Sequence, residues 1–140
     1  MKKFMIFALL IATALLAVSH AQAQVLVIAN PSVKASEISK NDLRDVFTGA
    51  NPTLKDGTNV VLVLLKAGTT HEEFLKVYIG KPDSVYRAGW RSLVFSGQAS
   101  MPKNVDGDAA VVDFVAHNKG AVGYIGKDAP HEGVKVLAVK

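Results

Sequence analysis

The sequence predicts an α/β fold, a mainly parallel sheet flanked by helices, on three observations. Residues 25–29 and 60–65 are continuous aliphatic runs of strand length without polar alternation, the pattern of strands covered on both faces. Two further strand-length runs close the chain, at 121–125 and 134–139. The segments between them carry apolar residues at helical three- and four-residue spacing, and helices alternating with fully apolar strands build parallel sheets covered on both sides.

Residues 1–23 stand outside this pattern. Lys2 and Lys3 precede an apolar run that reaches Val18 and is broken only by Thr13, and Ala21-Gln22-Ala23 offers small residues where a signal peptidase reads. A signal peptide cleaved after Ala23 and an exported, periplasmic product are therefore expected. The apolar run is shorter than the ~20 residues of a membrane span. The chain contains no cysteine, which excludes disulfides, thiolate metal sites, a cysteine nucleophile and an acylated cysteine at the cleavage point. Of the net charge of +4, Lys2 and Lys3 contribute two, so the basic balance belongs in part to the export signal and points away from nucleic acid. Residues 24–140 are of a size for one domain, with no repeat, low-complexity stretch or linker.

The elements follow in order. The strand at 25–29 stops at Asn30-Pro31. Ser39 caps a helix carrying Leu43, Val46 and Phe47 on one face, and Gly49 ends it in a left-handed conformation. The turn Lys55-Asp56-Gly57 leads into the strand at 60–65. Thr70 and Glu73 have the spacing of a capping box before Phe74, Leu75 and Tyr78. Pro82 and Asp83 open a helix whose Val85, Tyr86, Gly89, Trp90, Leu93 and Val94 form a broad apolar stripe. Residues 96–105 read as the longest irregular loop. A last helix from Asp108 buries Val111, Val112, Phe114 and Val115 before Gly120, and the two closing strands complete the chain.

Leu43-Arg44-Asp45-Val46-Phe47-Thr48-Gly49, then Lys55-Asp56-Gly57, then Ala67-Gly68-Thr69-Thr70, then Gly120-Ala121-Val122-Gly123-Tyr124-Ile125 form an ordered set. In that order they resemble the phosphate-type periplasmic substrate-binding proteins of ABC transporters, and more closely their short single-lobe relatives. The resemblance runs from about Val27 to Ile125. It implies the architecture of one lobe of a class II periplasmic binding protein, no catalytic activity, and a small oxyanion such as phosphate as ligand. The two-lobed members enclose the ligand with a second lobe, so a second copy, an ABC transporter or another envelope protein is the implied partner. Where phosphate-binding members carry Gly-Ser-Gly-Thr preceded by an arginine, this chain has Ala67 at the serine position and apolar residues near Val63 and Leu64 at the arginine position. Lys66 is the available charge.

Independently of the resemblance, a glycine ahead of a helix allows close backbone approach, and the first helical amides carry partial positive charge suited to an oxyanion. Lys66, Gly68, Thr69 and Thr70 are the candidate ligand-binding residues; the other reading of Thr70 is a cap for its own helix. Arg87 and Arg91 share a helix face and hold either an anion or only solvent. Trp90 is a stacking platform or a core residue. His71, His117 and His131 show no metal-ligand spacing. Asp106 and Asp108 around Gly107 read as helix capping rather than a cation loop. No cofactor fingerprint, P-loop or nucleophile elbow is present. Two functions follow: an oxyanion-binding protein, or a non-catalytic interaction module that keeps the lobe without its ligand.

Overall fold

The computed structural model describes residues 24–140; the expected signal peptide lies outside the described residues. Six strands form one sheet in the order β2-β6-β1-β5-β3-β4: β1 (Val25–Ala29), β2 (Glu37–Ile38), β3 (Val61–Leu65), β4 (Lys103–Val105), β5 (Ala121–Gly126) and β6 (Lys135–Val139). The strand β1 pairs antiparallel with both β5 and β6, whereas β2 with β6, β3 with β5 and β3 with β4 are parallel. Five strands thus run one way and β1 alone runs against them, so the sheet is mainly parallel as expected.

Helices cover both faces. On β5 the side chains alternate: Tyr124 meets Phe47 and Phe74, while a Cβ placed on Gly123 would lie 2.6 Å from Val63 and 2.8 Å from Val111. The Tyr124 face carries α1 (Lys40–Thr48) and α2 (Thr69–Phe74), with α3 (Asp83–Phe95) packed outside them; the Gly123 face carries α4 (Asp108–His117). Gly123 is small because α4 approaches the sheet closely there.

Local signals act as the sequence predicts at α1. The Ser39 side chain accepts from the amide of Asp42, and Gly49 closes the helix with φ 81°. Elsewhere tertiary pairing overrides them. The loop expected over 96–105 contains β4, because Lys103, Asn104 and Val105 pair with Val63, Leu64 and Leu65 through the backbone alone, without an apolar pattern of their own. The two-residue β2 was likewise not anticipated. The apolar stripe of α3 is narrower than expected: Tyr86 and Trp90 are buried, but Val85 and Val94 are exposed. On α4, Val111 and Val115 are buried, and Val112 and Phe114 are only partly covered. Trp90 is a core residue whose Nε1–H donates to the carbonyl of Phe47 at 2.9 Å.

The 55–58 turn is tied to the segment after β1 by one carboxylate. Asp56 accepts from the amides of Lys34 at 3.1 Å, Ala35 at 3.0 Å and Thr58 at 2.8 Å. Hydrogen bonds from Thr58, and then those from Ala35 and Lys34, hold its carboxyl below the ordinary range against the opposing effect of burial. A carboxyl held low in the folded protein stabilises it above the unfolded value of about 4, and that contribution fades as pH falls through the lowered value. Asp56→Asn is therefore expected to lower the urea midpoint at pH 7, and the gap from the unaltered protein should close as pH drops well below 4. An equal gap at both pH values would contradict this assignment.

Candidate functional site

Strand β3 delivers the candidate residues to the carboxyl end of the sheet. Lys66 extends the β3–β4 pairing by donating its amide to the carbonyl of Val105 at 2.9 Å. Gly68 then turns the chain with φ 105°, a backbone conformation that glycine adopts without the strain an L side chain meets. A Cβ there would touch nothing within 4 Å, so the requirement is conformational rather than steric. Helix α2 begins at Thr69, two residues earlier than the capping box places it, and Gly68 is its N-cap with no side-chain cap hydrogen bond. The Thr70–Glu73 capping box is corrected accordingly: Thr70 already lies inside the first turn. The helix continues beyond Phe74 as a π-helical turn over Leu75–Ile79.

The carbonyl of Gly68 accepts the first helical bond, from Glu72 at 3.0 Å. The ladder offers no acceptor to the amides of Thr69, Thr70 and His71, and no other group among the described residues supplies one. Gly68 and Thr69 are exposed and Thr70 is half-buried. Gln24, Thr69, Thr70 and Glu73 line a shallow recess of about 280 Å³. Gly126, at the end of β5, lies between two oxygens: a Cβ there would be 3.2 Å from Asp108 Oδ2 and 3.4 Å from Thr70 Oγ1. Met101 and Pro102 do not cover the turn. They line a separate hollow of about 890 Å³ past the amino ends of β3 and β4, with Trp90, Val61 and Phe114.

Charge at this end is mixed. Lys66 Nζ lies 3.3 Å from Asp106 Oδ1 with both side chains largely in solvent, an arrangement of small energetic weight. Asp108 does not cap α4, whose N-cap is Gly107 without a side-chain bond; its carboxylate instead accepts from the amide of Gly126 at 3.3 Å. No group of three or more histidine, cysteine, aspartate or glutamate side chains suited to a metal ion occurs among the described residues.

Behind the turn lies a hydrogen-bonded chain that the sequence reading did not find. His71 is 1% exposed. The amide of Leu65 donates to the Tyr124 hydroxyl at 3.2 Å, that hydroxyl meets His71 Nδ1, and His71 Nε2 lies 2.6 Å from Asp83 Oδ1. The Asp83 carboxylate can only accept, so His71 Nε2 carries a proton and donates to it. Arg87 Nε donates to the same Asp83 oxygen at 2.9 Å, and its other nitrogens reach Asn104 Oδ1 at 2.8 Å and the carbonyls of Leu65 and Lys66 at 3.1 and 2.9 Å. Burial pushes the Asp83 carboxyl up, but the His71 hydrogen bond and the Arg87 charge outweigh it and leave the group below its ordinary value. The solvated face expected for Arg87 and Arg91 is corrected: Arg91 is exposed, but the Arg87 guanidinium is inserted among fixed acceptors. The 83/87 helical spacing was the one signal of this network in the sequence. The links to 65, 71, 104 and 124 follow from packing.

Fold and turn together define an architecture, a mostly parallel sheet that presents a helix-start turn at its carboxyl end. Among solved structures the chain resembles a protein from Clostridium perfringens, described as a phosphate ABC transporter substrate-binding protein with bound phosphate. Identity is 17% with TM-score 0.64, covering 83% of this chain and 44% of that one. It also resembles PstS from Borrelia burgdorferi (15%, TM-score 0.64, 84% and 47%) and an ABC-type phosphate transport receptor from Vibrio cholerae (15%, TM-score 0.57, 83% and 46%). The chain spans under half the length of each. At such identities the likeness is one of fold. No protein-family model and no curated protein matches the chain. No helix among the described residues is long and apolar enough to cross a membrane.

Proposed function

We propose that this chain is a periplasmic, non-catalytic solute-binding protein, exported with cleavage after Ala23, that holds a small phosphate-like oxyanion for an ABC transport system. The amides and hydroxyls of Gly68, Thr69 and Thr70 are the donors, with Lys66 as the nearby charge. The observation that carries this reading is the open, side-chain-uncapped start of α2 behind Gly68. Partial positive charge and unused donors at such a point suit an oxyanion. Glu72, Glu73 and Asp108 oppose a dianion, so binding is expected to be weak and salt-sensitive. A second copy or another envelope protein supplies the remaining half of the enclosure.

Titration calorimetry with phosphate and with sulfate at low ionic strength tests the reading. Heat of binding is expected from the unaltered protein, and Gly126→Ala, which narrows the space between Asp108 and Thr70, should raise Kd about tenfold, or 1.4 kcal/mol, with the fold intact. Folded protein that gives no heat at millimolar phosphate or sulfate would remove this function.

A second reading, an interaction module that keeps the lobe without a ligand, is favoured by one observation. Phe95 at the end of α3 is 96% exposed and Met101, at the rim of the large hollow, 51%. Concentration-dependent sedimentation that disappears in Phe95→Ser, with no oxyanion binding, would favour it over the first.

A further inference from the structure

The hydrogen bonds behind the turn converge on a single oxygen. Asp83 Oδ1, on the first residue of α3, accepts from His71 Nε2 at 2.6 Å and from Arg87 Nε at 2.9 Å. His71 stands in the first turn of α2, immediately after Thr70. Arg87 holds the carbonyls of Leu65 and Lys66, immediately before Ala67. The strand side of the turn is thus held through Arg87 and the helix side through His71, and both lead to the same carboxylate.

We propose that Asp83, His71 and Arg87 are positioning residues that hold the two ends of the 66–70 turn at a fixed separation and so pre-organise the amides of Gly68, Thr69 and Thr70. The proposal rests on the reading of that turn as the oxyanion site. Gly68 has no side chain to pack and nothing within 4 Å of its Cβ position, so the turn has little restraint of its own there. Ordering a backbone residue costs conformational entropy. When flanking anchors impose that order during folding, an anion does not have to impose it on binding. The guanidinium suits the task because its planar fork meets Asp83, Asn104 and two carbonyls at once; a lysine ammonium has three donors on a flexible stem and cannot span them. The second anchor is buried on the His71–Tyr124 side, where solvent does not compete.

The test combines ¹⁵N relaxation with phosphate titration on the unaltered protein, Arg87→Lys and Asp83→Ala, with folding of each verified by circular dichroism. In the variants the order parameters of Gly68, Thr69 and Thr70 are expected to fall from about 0.85 toward 0.6 while those of β5 stay unchanged. The Kd for inorganic phosphate is expected to rise about tenfold. A purely structural network would lower the melting temperature without moving these order parameters, and that result in both variants overturns the proposal. Loosened order parameters with an unchanged phosphate Kd overturn it as well. If the unaltered protein binds no phosphate, the reading of the turn fails and takes the affinity claim with it, while the relaxation data still decide whether the three residues order the turn.

Discussion

Replacing Phe74 by alanine is expected to lower stability by about 3–5 kcal/mol, the usual cost of removing a core aromatic ring. Phe74 is fully buried at the end of α2, where its ring stacks on Tyr124 with centroids 3.8 Å apart and meets Phe47 edge-on at 4.9 Å. Tyr78 packs on it at 5.7 Å. The ring therefore joins α1, α2 and the central strand β5 at one point. The loss has two parts, the apolar surface no longer removed from water and the cavity left among neighbours anchored to separate elements. Aromatic contact geometry contributes ~0.5–1.5 kcal/mol per pair beyond burial, so Phe74→Leu should cost clearly less than the alanine variant, though not nothing. Urea unfolding followed by circular dichroism measures both. A loss under about 1.5 kcal/mol for alanine would mean that the three elements do not depend on this ring.

Tyr124→Phe, which removes a single oxygen, is expected to cost about 2–5 kcal/mol. The Tyr124 hydroxyl is the acceptor for the Leu65 amide and the partner of His71 Nδ1, and all three groups are buried. Its deletion orphans two polar groups in the interior, each worth ~1–3 kcal/mol in lost solvation. Burial also holds the Tyr124 phenol well above its ordinary pKa, so the hydroxyl keeps its proton across the physiological range. Tyr86→Phe is the control. Tyr86 donates to the Phe47 carbonyl, which also accepts from Trp90 Nε1, so that carbonyl keeps a partner and the expected cost is only ~1 kcal/mol. Equal costs for the two variants would show that the Tyr124–His71 contact has no special weight.

Much of the fold was legible because its signals are local. The aliphatic runs around Val27, Val63 and Val122, the Ser39 cap and the left-handed Gly49 each state their conformation within a few residues, and all appear as expected. The turn at Lys66, Gly68, Thr69 and Thr70 was legible for the same reason. Its cap differs: Thr70 and Glu73 match the spacing of a capping box, but the positive-φ Gly68 is the N-cap, so the helix starts at Thr69 and Thr70 lies in its first turn.

What composition, periodicity and turn residues determined unaided was the class of the sheet, its helical cover and the glycine turn ahead of α2. What they left to the tertiary structure was the direction of β1, the pairing of β4, and the joining of Leu65, His71, Asp83, Arg87, Asn104 and Tyr124. Strand pairing through the backbone carries no side-chain signature. A hydrogen bond between residues as distant as 71 and 124 comes into being only when burial brings them together, and desolvation then makes each partner necessary to the other.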